Sequence, residues 1–463
     1  MNICELPEEM VFNILISLFY NDIKSFRLIS KYIYKVCQSD LFWQQKLKHE
    51  SNNTNELIPF IKDKMEQMYI NYNTLWGFGS NVYGKLGKIG DEYINNINVP
   101  IKIHTNIRVK KVSHGVNHTI IIDKNDVLWS LGFGNVGQLG LGNNIDNKNI
   151  YTKLKFEHKV KSVSCGFEHN MLIDENDELW GFGYNAYGQL GLGHNENINI
   201  PTKIPFNYKV KIISCGGNHT MIIDKNNELW SFGDNMCGQL GLCHNEDINI
   251  PIKIPLKNKV KSVSCGNEYT ILIDINDEIW SFGNNELGQL GLGDTNDTNT
   301  PTKISIIKSQ ITPEVLHTLK VHDRQNFNIN SPVISNNKVH FNYKVKYVSC
   351  GEFHTFIIDE NDELWSFGYN ESGQLGLGLC DDGNINIPTK ISFNYKAKSI
   401  SCGLDYTIII DENDELWSFG ENTNGQLGLC DNINKYIPTK LNFKHKVHTI
   451  SSKNYNTLLI LKY

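Results

Sequence analysis

Glu178 to Gly193 reads Glu-Leu-Trp-Gly-Phe-Gly-Tyr-Asn-Ala-Tyr-Gly-Gln-Leu-Gly-Leu-Gly, and near copies of this stretch occur seven times along the chain. The marker tryptophans are Trp76, Trp129, Trp180, Trp230, Trp280, Trp365 and Trp417, with successive spacings of 53, 51, 50, 50, 85 and 52 residues. One unit therefore recurs about every 50 residues, and one gap holds about 35 extra. Such regularity describes a single repeated architecture and overrides the prior of about three domains that 463 residues would otherwise set.

The unit from Val160 to Ile204 reads as four strands. Val160-Lys-Ser-Val-Ser-Cys-Gly alternates, Phe167-Glu-His is a tight turn, and Asn170-Met-Leu-Ile-Asp174 is an apolar β-rich run. Glu175-Asn-Asp turns the chain into Glu178-Leu-Trp-Gly-Phe-Gly183, so the second and third strands form a hairpin. After a Gly-rich loop, Pro201-Thr-Lys-Ile204 supplies an edge strand with Pro at its first position. Four antiparallel strands repeated radially describe a propeller blade. Divided this way, six blades are continuous, at about 109 to 154, 160 to 204, 210 to 254, 260 to 304, 345 to 391 and 397 to 441. A half-blade remains at each end: Leu75-Trp-Gly-Phe-Gly with Val99-Pro-Ile-Lys-Ile103, and Val447-His-Thr-Ile-Ser-Ser with Asn456-Thr-Leu-Leu-Ile-Leu461. Each would expose an unpaired edge unless it joined the other. The expectation is an all-β ring of seven blades, clasped shut by its two ends.

Leu-Trp-x-x-Gly, Gly-Gln-Leu-Gly and Gly-x-x-His-Thr recurring together over about residues 75 to 463 resemble the regulator of chromosome condensation repeat family. That resemblance implies a seven-bladed β-propeller, the count already reached from spacing. It also brings one functional alternative, guanine-nucleotide exchange on a Ran-like small GTPase, although the exchange-active positions match no particular residues here.

Before the ring, Leu6-Pro7-Glu8-Glu9 opens a helix whose apolar residues recur at Val11, Ile14, Leu15, Leu18 and Phe19. A second helical pattern runs from Ile23 through Leu28 to Val36, and Ser39-Asp40 caps a short run at Leu41-Phe42-Trp43. Three short helices make a marginal core, which leaves an apolar face for a partner. Residues 3 to 48 resemble the F-box, the motif by which substrate receptors dock on the Skp adaptor of cullin ubiquitin ligases. Lys31-Tyr32 and Tyr34 stand where that family commonly has Trp. The resemblance implies adaptor contacts at Leu6, Pro7, Ile14, Leu18, Leu28 and Trp43. Residues 51 to 74 then read as a helical linker, with Leu57, Ile58, Ile61, Met65, Met68 and Tyr69 at helical spacing.

Composition narrows the function. Forty-four basic and 50 acidic residues give a net charge of -6, which argues against nucleic acid or an anionic membrane as partner. The acidic N-terminus is unlike a secretory signal, and no run of 18 apolar residues occurs, so an intracellular protein of cytoplasm or nucleus is expected. Five of 11 cysteines occupy one repeat position (Cys165, Cys215, Cys265, Cys350 and Cys402), without the close pairs a metal site needs, and read as reduced packing residues. His118, His169, His219 and His354 share another repeat position with Tyr269, Tyr406 and Asn456, so a turn-stabilising hydrogen bond is expected there, not a shared metal. The Asp-x-Asn-Asp runs are too short for calcium loops and read as left-handed hairpin turns, and the repeated glycines as positions of positive φ. No nucleophile, base and orienting acid assemble from non-repeated residues, so neither enzyme chemistry nor a cofactor is expected.

These readings converge on a non-enzymatic interaction module. Its helices would recruit a Skp-type adaptor and cullin ligase, and its propeller would bind a protein to be ubiquitylated. Strand alternation puts the Asp-x-Asn-Asp turns, Leu75 and the insert at about 305 to 344 on one face. Substrate contacts are expected on the other, in loops near 142 to 150, 194 to 200, 244 to 250 and 379 to 387. The alternatives are the GTPase exchange factor and a scaffold whose helices cap the ring.

Overall fold

The computed structural model describes residues 75–87, 95–103, 105, 107–142, 147–305, 343–378 and 383–461. The expected F-box, the 51–74 linker and nearly all of the 305–344 insert lie outside the described residues. The described residues form seven four-stranded antiparallel sheets. Six are continuous, beginning with Val109–His114 as blade 1 and ending with Lys435–Lys440 as the outer strand of blade 6. The seventh takes Leu75–Ser80 and Asn96–Ile103 from the start of the chain, and Val447–Lys453 and Asn456–Leu461 from its end. The ring is closed as the strand register requires.

Within a blade, the first strand is innermost and packs against its counterparts in neighbouring blades. The second strand is buried along its whole length, whereas the fourth, such as Ile198–Lys203, alternates half-buried and exposed residues. The core accordingly lies between blades. Met171, Ile173 and Leu179 of blade 2 meet Val210, Ile213, Ile222 and Phe232 of blade 3. Burying a phenylalanine such as Phe232 contributes about 2–3 kcal/mol. The glycines of Gly-Gln-Leu-Gly let this packing close: at Gly191 (φ +71°) a Cβ would stand 2.9 Å from the Phe232 ring.

In the six continuous blades the hairpin is held by a carboxylate that the repeat supplies once per blade. Asp224 Oδ1 accepts hydrogen bonds from the amides of Asn226 (2.8 Å) and Glu228 (2.9 Å), and Oδ2 accepts from Trp230 Nε1 (3.2 Å). The turn therefore needs Asp at its first position and a left-handed residue at its fourth, where Asp177, Asn227 and Asp362 have φ of 61°, 61° and 64°. The closing blade has Leu461 in place of this Asp, and Trp76 Nε1 is buried with no partner among the described residues.

The repeated histidines differ from expectation. They do not brace their own turns; they join neighbouring blades. His219 Nε2 lies 3.1 Å from Thr270 Oγ1 of the next blade, and that hydroxyl donates to the carbonyl of Gln239 at 3.0 Å. Because the threonine proton is committed, Nε2 must carry the imidazole proton. Burial pushes the His219 pKa down to about 3, so the ring is neutral. Tyr406 fills the same role with its hydroxyl, 2.6 Å from the Asn456 carbonyl. The separation between blades dictates a donor of this reach, which short-range turn chemistry in the sequence does not reveal.

A second inter-blade ring passes through the serines. Ser164 Oγ accepts from the Cys215 amide (3.0 Å), Ser214 from Cys265 (3.1 Å) and Ser401 from Ser452 (2.8 Å). The cysteine position contributes its amide and a compact side chain, which explains why Ser452 can replace a thiol. Cys165, Cys215, Cys265 and Cys402 are free and buried as expected, and burial pushes the Cys215 thiol up to about 11.

Substituting Asp224→Ala removes a carboxylate from two amides and an indole in a dry hairpin. A loss of about 3 kcal/mol is expected, read as a lower unfolding midpoint in urea by tryptophan fluorescence. Asp224→Asn, which keeps an acceptor, should lose less.

Candidate functional site

The two faces of the ring differ in how their charges are settled. On the face of the hairpin turns, acids meet lysines. Asp177 pairs with Lys161 (2.8 Å) and Lys225 (3.2 Å), Glu178 with Lys203 (2.6 Å) and Lys209 (3.4 Å), and Asp362 with Lys346 (2.7 Å) and Lys396 (3.3 Å). Hydrogen bonding from Lys161 holds the Asp177 carboxyl below its usual range, and Lys346 does the same for Asp362. Each exposed pair contributes little stability, but together they leave this face without a dominant sign.

The opposite face is built from the turns between first and second strands and the loops that follow the third. Because the first strands are innermost, their turns encircle the axis. Backbone bonds link them in sequence: Val116 N to Phe167 O (3.0 Å), Phe167 N to Gly217 O (3.0 Å), Gly217 N to Asn267 O (2.9 Å) and Leu404 N to Asn454 O (2.9 Å). Two lysines stand at this mouth where the repeat has other residues. Lys85 takes the Gln position of Gly-Gln-Leu-Gly, is buried, and donates from Nζ to the Val116 carbonyl at 2.9 Å. Burial lowers its pKa to about 8. Lys453 takes the Gly position of Cys-Gly and lies 5.8 Å from the Phe167 ring centroid.

Around these lysines the face is acidic. Glu168, Glu268 and Asp405 occupy one position of the inner turns, Glu352 the position before it, and Asp234 and Glu421 follow the third strands. Among the described residues none of these six forms an ion pair, in contrast to Asp177, Glu178 and Asp362 of the turn face. Burial raises the pKa of Glu168, Asp234 and Glu268, and Asp234 raises Glu268 further. Burial pushes Glu352 up to about 7; burial followed by the charge of Glu421 does the same to Asp405. The charges of Lys453 and Lys85 offset part of this shift at Glu352, whereas no cation offsets it at Asp405. Half-buried carboxylates of the latter kind oppose folding at neutral pH, and such arrangements concentrate at functional sites.

The loops expected to contact substrate lie on this face, toward its rim, with 143–146 and 379–382 outside the described residues. Their outer residues are exposed, but their inner ones stitch blades together. Asn249 Nδ2 donates to Asn195 Oδ1 (3.0 Å), Asn299 Nδ2 to Asn245 Oδ1 (2.7 Å), and the Gly193 amide to the Asn249 carbonyl (2.8 Å). Between two of these loops runs a shallow groove of about 270 Å³ lined by Tyr187, Asn195, Asp247, Ile248 and Ile250. The six adaptor-contact residues, Leu6, Pro7, Ile14, Leu18, Leu28 and Trp43, lie outside the described residues. Loop-based reasoning missed the inner-turn acids. Their signal was present: the two residues between Gly and His change in every copy, from Val-Asn and Phe-Glu to Glu-Phe and Leu-Asp, while Gly before them and His or Tyr after them recur in six of the seven copies.

Asp405 gives a pH test of the strain in this face. Its folded pKa of about 7 exceeds the unfolded value of about 4, so the folded state holds more protons between them and stability falls as pH rises through that window. Asp405→Asn should raise the unfolding temperature at pH 8, and the gain should shrink toward pH 5.

The chain matches the family described as RCC1-like domain over residues 68–321. It matches the regulator of chromosome condensation (RCC1) repeat over 361–410 and 413–460, and a second description of that repeat over 345–374 and 397–426. A Xenopus laevis protein, Protein RCC2 homolog, is 35% identical over 127 residues, 27% of this chain and 24% of its own. The Arabidopsis thaliana ultraviolet-B receptor UVR8 is 34% identical over 119 residues, 26% of each chain. The human RCC1-like G exchanging factor-like protein is 28% identical over 136 residues, 26% of this chain and 29% of that one. The matched stretches thus span about a quarter of these relatives. Among solved structures, human WBSCR16 superposes with a TM-score of 0.70 at 18% identity, covering 84% of this chain and 100% of that one. Prp20p from Saccharomyces cerevisiae, studied for its binding to Gsp1p and histones, superposes with a TM-score of 0.68 at 17% identity, covering 83% and 90%. Seven blades, their repeat signatures and the matched family description agree: the chain belongs to the RCC1-like domain family.

Proposed function

We propose that this chain is a protein-interaction module that serves as a substrate receptor of a Skp-cullin-F-box ubiquitin ligase. The observation that carries the interaction reading is the loop face, where Glu168, Asp234, Glu268, Glu352, Asp405 and Glu421 form no ion pair among the described residues, whereas lysines pair Asp177, Glu178 and Asp362 on the turn face. The ligase part rests on the sequence of residues 1–50, with Leu6, Pro7, Ile14, Leu18, Leu28 and Trp43 docking on the adaptor and the loop face holding the protein to be modified. A pull-down with purified Skp-type adaptor tests it. The intact chain should retain adaptor and Leu6→Ala/Pro7→Ala should not, with circular dichroism confirming that the variant is folded. Equal retention by both, or by neither, removes the ligase role.

A second reading is guanine-nucleotide exchange on a small GTPase. It is favoured by the human relative named as an exchange factor and by the fold shared with Prp20p, whose binding to Gsp1p has been studied. Release of a fluorescent guanine nucleotide from a Ran-type GTPase, with and without the chain, discriminates. Acceleration of about tenfold or more would establish exchange; the receptor reading expects the intrinsic rate.

A further inference from the structure

The loop face is divided into two sectors. Over blades 7, 1, 2 and 3, the loops after the third strands present apolar and aromatic side chains: Val82, Tyr83, Phe133, Tyr184, Tyr187 and Met236. Tyr83 and Met236 are 46% and 71% exposed. Tyr83 stacks on Phe133 with centroids 4.9 Å apart, and Tyr184 meets Tyr187 edge-on at 6.1 Å. Over blades 3 to 6, the corresponding positions and the inner turns carry Asp234, Glu268, Glu352, Glu371, Asp405 and Glu421, together with Tyr369, whose hydroxyl donates to Glu371 at 2.9 Å. Glu168 in the inner turn of blade 2 places one acid within the apolar sector, beside Tyr184. The sectors abut in blade 3, where the Met236 amide donates to Asp234 Oδ1 at 3.1 Å.

An independent observation points the acidic sector toward a ligand. At the Gln position of Gly-Gln-Leu-Gly, Gln189 Nε2 donates to Asn218 of the next blade (3.3 Å) and Gln374 Nε2 to Asp405 (3.2 Å). Gln239 is equally buried, and its Oε1 is taken by the Cys237 amide (2.9 Å). Its Nε2 approaches the Asp234 carboxylate but makes no hydrogen bond among the described residues, as is also true of Gln426, which follows Glu421 in the same sector, and of Gln138 in blade 1. A buried amide donor beside unpaired carboxylates matches a peptide, whose carbonyls accept while its basic side chains meet the acids. Aromatic side chains beside such a charge field form the kind of surface that holds an anchor residue.

We infer that the loop face binds a protein segment in which lysines or arginines flank an aromatic or aliphatic anchor, the anchor seated on the Tyr83–Tyr187 sector and the cations on the Asp234–Glu421 sector. This deepens the receptor reading above and rests on it for its biological setting. Lys85 and Lys453 stand at the mouth beside Glu352 and leave the other acids of the sector to the incoming cations.

The test uses the intact chain and a labelled short peptide of alternating arginine and lysine around a central Trp-Leu pair, followed by fluorescence anisotropy. Three controls carry glutamate for the basic residues, serine for the anchor pair, or both changes. The basic, anchored peptide should bind best, weakening as salt rises. Asp234→Asn/Glu268→Gln/Asp405→Asn should weaken it about tenfold or more, and Tyr83→Ser/Tyr184→Ser should erase its advantage over the anchor-free control. Preference for the glutamate peptide, or salt-independent binding, overturns the inference without recourse to any variant. Equal binding by the acid-substituted chain also overturns it. Adaptor capture measured on the same preparation separates the two readings: peptide binding without adaptor sinks only the ligase role, and adaptor capture without peptide preference sinks only this partner chemistry.

Discussion

Pairing of Leu75–Ser80 with Asn456–Leu461 places residues from opposite ends of the chain in one sheet, and the ring depends on it. Blades have their hydrophobic surface between them, so each is stable only when both neighbours are present. An open array would expose two apolar sheet faces and two unpaired edges. The composite blade removes both exposures. Its join is reinforced at the loop face, where the Ser80 amide donates to the Tyr455 carbonyl at 2.8 Å. Blade 7 is also the least regular blade, with Leu461 in place of the hairpin Asp, Lys453 in place of Gly and Lys85 in place of Gln. Two of these departures put cations at the mouth of the ring.

One polar system closes the hairpin within each continuous blade, and two hold successive blades at a fixed separation. Asp and Trp close each hairpin on the turn face. Serine hydroxyls receive the amides of the next blade along the innermost strands. Histidine or tyrosine reaches across to the following threonine, or to Asn170 in the case of His118, near the loop face. All are buried or half-buried, and the hairpin carboxylates accept from amides and an indole. The loop-face carboxylates and the Gln239 amide lie outside these three systems, and their place beside one another on one face marks them as features of recognition more than of folding.

Charge separates the faces without altering the fold. Lysines on the turn face occupy positions next to the hairpin acids, where the repeat places both partners within reach in several blades. The loop face receives acids at positions where no lysine is repeated, and the low polarity around Asp405 and Glu352 magnifies their mutual repulsion. That repulsion lowers stability at neutral pH. Its cost is tolerable because the inter-blade core is large, and a basic partner would relieve it on binding.

The sequence by itself determined the number of blades, the division of each into four strands and the need for closure, because strand periodicity, turn residues and spacing are local properties that survive in one dimension. The left-handed Asp and Asn of the hairpins and the positive-φ glycines were legible for the same reason. Only the tertiary structure decided what the repeated histidines do, since Thr270 lies 51 residues from His219 and comes within 3.1 Å only when blades stack. It also decided which acids remain unpaired. Asp177 and Asp405 are alike as letters in a chain, but lysines 16 residues before and 48 residues after Asp177 fold onto it, whereas Asp405 turns inward beside Glu421 and meets no cation. Electrostatic environment is a property of the assembled ring, and the partner-binding character of the loop face emerges at that level.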